Sequence, residues 1–447
     1  MNFLVDTVIR DARLVLPKGI IRGNLAVEGE RIAKIAKTGI PKGEREIDAN
    51  GKILIPGVID AHAHIYDPKY LHREDFRHGT IAAAAGGVTC VIAMPLDTPM
   101  LTPEEVKKTI MVGKRESLID FALHCGNMTT EAIKYMPEVA ALGVKSFKAF
   151  TCAPYHLYGA SIEKMMIVAK EVKGIAFVHA EDDEILWAQT QMLHVDERKD
   201  PLAHVEAHPN SAEAKAVERV ISYARQTGCH LHLAHITTRE GVKLVTQAKA
   251  KRADISAEVC PHHLIFTKDD MRKLGPYLRF NPPPRSKQDI AALWSALARG
   301  ALDIVASDHA PGTRKEKEIG WKNIWDAPIG IPEIETMLPL MFSEGVMKKR
   351  ISLKRLVDAM CTSPAKIFGL YPRKGVIQRG SDADLVLIDP KKQTTIKGKK
   401  LHYKVGWTPY ERRKIRGTPT LVISRGTVIA ENGEVIDKAG RGKFLAR

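Results

Sequence analysis

The stretch KILIPGVIDAHAHIYDP, residues 52–68, decides how the rest of the chain is read. A short β-branched, apolar run ends in two histidines, His62 and His64, spaced two residues apart. Along a strand, residues i and i+2 point to the same side, so both imidazoles are aimed into one small volume. Such a pair can grip a metal ion. An isolated pair of this kind is more often two polar residues on the wet face of a surface strand. The remaining strands therefore have to be searched for partners.

From residue 53 onward a unit recurs: a short strand-like run, a loop, then a stretch of helical periodicity closed by glycine. The strand candidates are 53–62, 88–95, 118–125, 144–150, 175–180, 229–236, 254–260 and 302–308. Between them lie amphipathic patterns such as REDFRHGTIAAAAGG, SIEKMMIVAKEVKG and SAEAKAVERVISYARQTG, whose last glycines suit left-handed helix ends. Eight strands alternating with helices predict an α/β fold, a (β/α)8 TIM barrel over 53–370. The flanks are different. Residues 1–52 and 371–447 both carry short strand patterns separated by turns, and neither flank can bury a core alone. The economical arrangement is one small sheet domain built from both termini around the barrel. The tail GRGKFLAR is expected to be disordered.

Bulk properties exclude several classes. The 447 residues are 44% hydrophobic and 27% charged, and no apolar run approaches the roughly 18 residues of a membrane span. Asp6 and Asp11 interrupt the first apolar stretch, which speaks against a secretory signal and for a cytoplasmic protein. The six cysteines form no CxxC pair and read as reduced core thiols. The formal charge of +16 is dispersed, densest in KKQTTIKGKK and ERRKIR, with no nucleic-acid-binding motif nearby. A solvated basic face is expected, and neither nucleic acid nor membrane is expected as a partner.

In a TIM barrel the chemistry gathers at the C-terminal ends of the strands. There the candidates place His62 and His64, Lys148, His179, His235 and Asp308, drawn from five strands. Four imidazoles and a carboxylate suit two Zn2+ ions. Lys148 fits only if its amine is neutral, because a protonated amine beside two dications is repelled. A neutral amine can add carbon dioxide, and the resulting carbamate can bridge both ions. Singly, each of these residues has a structural explanation; jointly, five strands would have to place metal-type residues at one end by chance.

The blocks GKILIPGVIDAHAH, FRHGTIAAAAGGVT, SFKAF, VHAED, AEVCPHHLIFT, FNPPPRSKQDIAALWSAL and ASDHAPGTRKEKE resemble the amidohydrolase superfamily. They resemble its cyclic-amidase branch of dihydroorotases, allantoinases and hydantoinases or dihydropyrimidinases. The resemblance covers nearly the whole chain. It implies two Zn2+ ions per subunit held by His62, His64, carboxylated Lys148, His179, His235 and Asp308, a terminal β-sandwich, and a homodimer or homotetramer. It also implies opening of a cyclic amide by a metal-bridging hydroxide, with Asp308 as base and then acid.

The ring is less determined. Dihydroorotases meet their substrate's carboxylate with an Arg, an Asn and a His at positions that here hold Tyr66, Leu96 and Gly312. An unpaired buried carboxylate costs several kcal/mol. A neutral cyclic ureide, allantoin- or hydantoin-like, is therefore the expected small-molecule substrate, with Tyr66, Asn281, Arg285 and Gly312 as candidate contacts. The alternatives are a true dihydroorotase whose carboxylate clamp has moved to Arg285, and a non-catalytic scaffold of the dihydropyrimidinase-related kind.

Overall fold

The computed structural model describes residues 4–447. The chain begins with β1 (Val5–Leu16), β2 (Gly19–Glu28), β3 (Arg31–Ala36), β4 (Gly43–Asp48) and β5 (Ile53–Pro56). Eight barrel strands follow: β6 (Val58–Ala63), β7 (Val88–Ala93), β8 (Asp120–Leu123), β9 (Ser146–Phe150), β10 (Ile175–His179), β11 (His230–Leu233), β12 (Ile255–Val259) and β13 (Ile304–Val305). The last strands are β14 (Leu385–Thr395), β15 (Lys414–Ser424), β16 (Thr427–Glu431) and β17 (Glu434–Val435).

The eight central strands are parallel neighbours in the orders β6-β7-β8 and β9-β10-β11-β12-β13. Bridges Cys125–Phe147 and Ala63–His309 join the two arcs and close the barrel. Runs such as VTCVIA are wholly buried because the packed interior covers one face and the helices the other. Alternate residues from several strands, among them Ile59, Cys90, Ala122, Phe177 and Ile304, fill the interior.

Helix boundaries follow local chemistry. Thr102 forms a capping box with Glu105 ahead of Pro103, and Asp75 accepts the amide of His78. Gly228 ends Asn210–Thr227 with φ 67°, the left-handed end its position predicts. In EVKG the left-handed residue is instead Lys173, at φ 54°. Gly174 serves close packing there, since a Cβ would lie 2.7 Å from the Lys145 carbonyl.

Both termini build one nine-stranded sheet in which β14 of the C-terminal part pairs with β5 of the N-terminal part. Its own core joins Ile9, Leu14, Leu25 and Leu54 to Leu385, Leu387, Leu421 and Ile423. The expected first barrel strand, 53–62, is thus two strands: Ile53–Pro56 belongs to the terminal sheet, and the barrel begins beyond Gly57. The two bodies are also tied by Lys374, whose buried Nζ lies 2.6 Å from Asp120, 2.9 Å from Asp382 and 2.5 Å from Asp384. Burial opposes its charge, but the three carboxylates outweigh it and raise its pKa.

The tail overturns the expectation of disorder. Phe444 bridges to Phe121, Leu445 is buried in the barrel-interior cluster, and Arg447 Nη2 donates to the Leu123 carbonyl at 2.7 Å and to Ser146 Oγ at 2.6 Å. Apolar burial at Leu445 and carbonyl acceptors for Arg447 supply the order that its polar composition conceals. No helix among the described residues is long and apolar enough to cross a membrane.

Candidate metal centre

The six residues singled out from five strands line one cavity of about 460 Å3 at the C-terminal mouth of the barrel. In β6, Ile59 and Ala61 point into the apolar interior, and a register irregularity between Asp60 and Ala63 changes the phase. His62 and His64 then face the mouth. His62 Nε2 and His64 Nε2 lie 3.1 and 3.3 Å from the same oxygen, Asp308 Oδ1. Across the cavity, His179 Nδ1 and His235 Nε2 are 3.0 Å apart, with ring centroids 4.6 Å apart.

The second ring nitrogens of His62, His64 and His179 are already engaged. His62 Nδ1 lies 2.5 Å from Glu258 Oε1, His64 Nδ1 donates to the Pro95 carbonyl at 2.8 Å, and His179 Nε2 contacts Glu181 Oε2 at 2.8 Å. Such partners fix the tautomer and leave the opposite nitrogen bare for a cation. Burial lowers the His62 pKa, with Lys148 adding to the effect, and holds His235 well below the ordinary imidazole value. Neutral imidazoles are what metal ligation requires.

Backbone geometry marks the site as well. His235 and Asp308 have φ 22° and 50°, a left-handed region that costs a non-glycine residue about 1–3 kcal/mol. The surrounding fold imposes it: Asp308 N–H donates to the His62 carbonyl at 2.8 Å, and Ser307 donates to Asp60 through its amide at 3.0 Å and its hydroxyl at 2.5 Å.

Lys148, in β9, is 1% exposed, and its Nζ has no hydrogen-bond partner. It lies over the Phe177 and Phe150 rings at 4.5 and 5.0 Å. Burial lowers its pKa to about 8, against the pull of Glu258 and Asp308. An orphaned, easily neutralised amine between two pairs of bare imidazole nitrogens fits a carbamate bridge between two cations.

The four candidate substrate contacts separate. Asn281 lines the cavity, and its buried Oδ1 has no partner. Tyr66 packs on Phe76 beside a different, small cavity. Gly312 sits under Pro328, and its carbonyl accepts the Trp407 indole N–H at 2.8 Å. Arg285 donates to Thr237 Oγ1 at 2.9 Å and to the His208 carbonyl, and lines a larger cleft of about 740 Å3 away from the metal-type residues. That cleft lacks the convergent histidines. Arg285 therefore does not line the cavity that holds the metal-type residues.

One partner of the candidate site went unread in the sequence. Glu258 of β12 holds His62 Nδ1, accepts the His235 amide at 3.1 Å and contacts His232 Nε2 at 3.2 Å. The signal existed: His230 and His232 repeat the two-residue spacing of His62 and His64, and Ser256 and Glu258 share one side of the adjacent strand.

Comparison with known proteins agrees with this geometry. The sequence model described as the Amidohydrolase family matches residues 53–429. An L-hydantoinase from Paenarthrobacter aurescens is 35% identical, with 99% of this chain and 98% of that protein covered. A dihydroorotase from Methanosarcina acetivorans is 32% identical (98% and 95% covered), and an allantoinase from Enterococcus faecalis is 32% identical (98% and 99%). Among solved structures, an L-hydantoinase (dihydropyrimidinase) from Arthrobacter aurescens superposes with a TM-score of 0.96 at 33% identity, covering 99% of this chain and 100% of that one. The chain belongs to the amidohydrolase family, in its cyclic-amidase branch.

Proposed function

We propose that the protein hydrolyses a C–N amide bond of a neutral cyclic ureide, a hydantoin-like ring, at a centre of two Zn2+ ions. His62, His64 and Asp308 would hold one ion, His179 and His235 the other, and carboxylated Lys148 would bridge them. When bound, the ions supply an activated water at neutral pH and polarise the ring carbonyl. The observation that carries the reading is the convergence of these six side chains in one cavity, with their bare nitrogens and the Asp308 carboxylate facing one another.

The protein's own groups divide the remaining work. The Asp308 carboxylate accepts the proton of the attacking water and returns it to the leaving ring nitrogen, serving as base and then acid. Asn281 Oδ1, buried and unpartnered, accepts a ring N–H and sets the ring's orientation. Tyr155, Phe150 and Leu96 wall the cavity with largely apolar surface.

Charge argues for a neutral ring. Arg73 is engaged by both oxygens of Glu316, and Arg279 donates to the carbonyls of Trp325 and Ala327. Arg73 is thus already paired with a carboxylate, and Arg279 commits its Nη1 to backbone carbonyls. The test is a panel of hydantoin, 5-substituted hydantoins, dihydrouracil, allantoin and dihydroorotate, run on protein of measured metal content. Turnover of neutral rings well above dihydroorotate supports the reading. A clear preference for dihydroorotate overturns the substrate class, and metal-loaded protein inert on every ring overturns the activity.

A further inference from the structure

Beyond the end of β12 the chain reads Cys260-Pro261-His262-His263, the last three residues opening the short helix Pro261–Ile265. Cys260 Sγ and one nitrogen of each histidine lie within 4.8 Å of one another. All three residues are buried, at 0%, 1% and 1% exposure. His262 Nδ1 lies 2.7 Å from Glu333 Oε2, and His263 Nε2 lies 2.8 Å from the Pro282 carbonyl. An acceptor at each position requires N–H there, so the lone pairs are left on His262 Nε2 and His263 Nδ1. These two buried nitrogens have no hydrogen-bond partner.

Two orphaned imidazole nitrogens in a dry core call for an explanation. Protein groups do not supply one, and a bound cation would. A carboxylate on one histidine and a backbone carbonyl on the other are the supports that metal-ligating imidazoles use. A thiol and two imidazoles form a donor set suited to Zn2+. We propose that Cys260, His262 and His263 form a thiolate-containing Zn2+ site, separate from the hydrolytic centre.

None of the three residues lines the substrate cavity, although His263 approaches His235 with ring centroids 6.3 Å apart. Binding exchanges the Cys260 thiol proton for the metal, and the thiolate and the Glu333 carboxylate together balance the ion's charge. The site ties the end of β12 to Glu333 and to the segment carrying Asn281 and Pro282. It is thus a brace behind the wall that holds a proposed substrate contact.

The test uses full-length protein produced in cobalt-supplemented, zinc-depleted medium. The proposed hydrolytic ligand set contains no sulfur, so a near-ultraviolet thiolate-to-Co2+ charge-transfer band reports a cysteine outside that set, and the variants identify which one. The expected result is that band in the wild-type protein, its loss in Cys260→Ser with one ion fewer per chain, and its persistence in Cys152→Ser. Cys152 is the control because it is buried beside His179 and Glu181. Cobalt-loaded wild-type protein without the band overturns the proposal even if no variant folds, as does a band that survives Cys260→Ser. Both readouts stand whether or not any cyclic ureide is hydrolysed, so failure of the substrate assignment leaves them interpretable.

Discussion

Replacing Glu316 by Gln should convert the cavity into one that tolerates an anionic substrate. Arg73 Nη2 lies 2.9 Å from Glu316 Oε1, and its Nε lies 3.0 and 3.2 Å from the two carboxylate oxygens. Burial opposes the charge on Glu316, but Arg73 and Thr313 outweigh it and hold its pKa down at about 2. Both residues line the cavity that holds the six metal-type side chains, so a dihydroorotate carboxylate entering the wild-type site meets a cation already neutralised. Glutamine keeps an oxygen for the Thr313 capping contacts and frees the guanidinium. A hydrogen bond to a charged group contributes about 1.5–3 kcal/mol, or about 10- to 150-fold at 1.4 kcal/mol per decade. The quantity to measure is kcat/KM for dihydroorotate divided by kcat/KM for hydantoin, followed by ring-opening absorbance in both proteins. Loss of the partly buried pair should cost about 1 kcal/mol of stability. A folded Glu316→Gln protein that still opens hydantoin with an unchanged ratio would refute the assignment of Arg73 as the silenced cation.

Two further outcomes test the fold around the site. Leu445→Ala should destabilise by about 2–5 kcal/mol, because the side chain is 1% exposed within the barrel-interior cluster; a chemical-denaturation shift worth under about 0.5 kcal/mol would mean the tail is not docked. Burial raises the Glu74 pKa from 4.5 to about 8, so the native state keeps a proton that the unfolded chain releases. Its stabilising contribution is complete below pH 4.5 and is lost as pH rises toward 8, about 5 kcal/mol at about 1.36 kcal/mol per unit. Glu74→Gln should flatten that fall in unfolding free energy, and parallel wild-type and variant profiles across the window would contradict it.

Much of this architecture is legible in the order of residues. Runs such as VTCVIA and IAFVHA announce strands buried on both faces, and their alternation with amphipathic helices specifies a barrel. Strand polarity in such a barrel then sends His62, His64, Lys148, His179, His235 and Asp308 to one end, because a two-residue spacing and a strand terminus are local properties. Tertiary structure alone decided what depends on contacts between distant segments. It turned Arg285 toward Thr237 and His208, set Tyr66 against Phe76, and anchored Arg447 under the barrel through carbonyls more than 300 positions away in sequence. It also selected the bare nitrogens, since a tautomer is set by whichever acceptor the fold brings to the opposite side of the ring: Glu258 for His62, Pro95 for His64, Glu333 for His262. Residue type and spacing determine which groups can ligate, and the hydrogen-bond partners supplied by folding determine which atoms are left to do so.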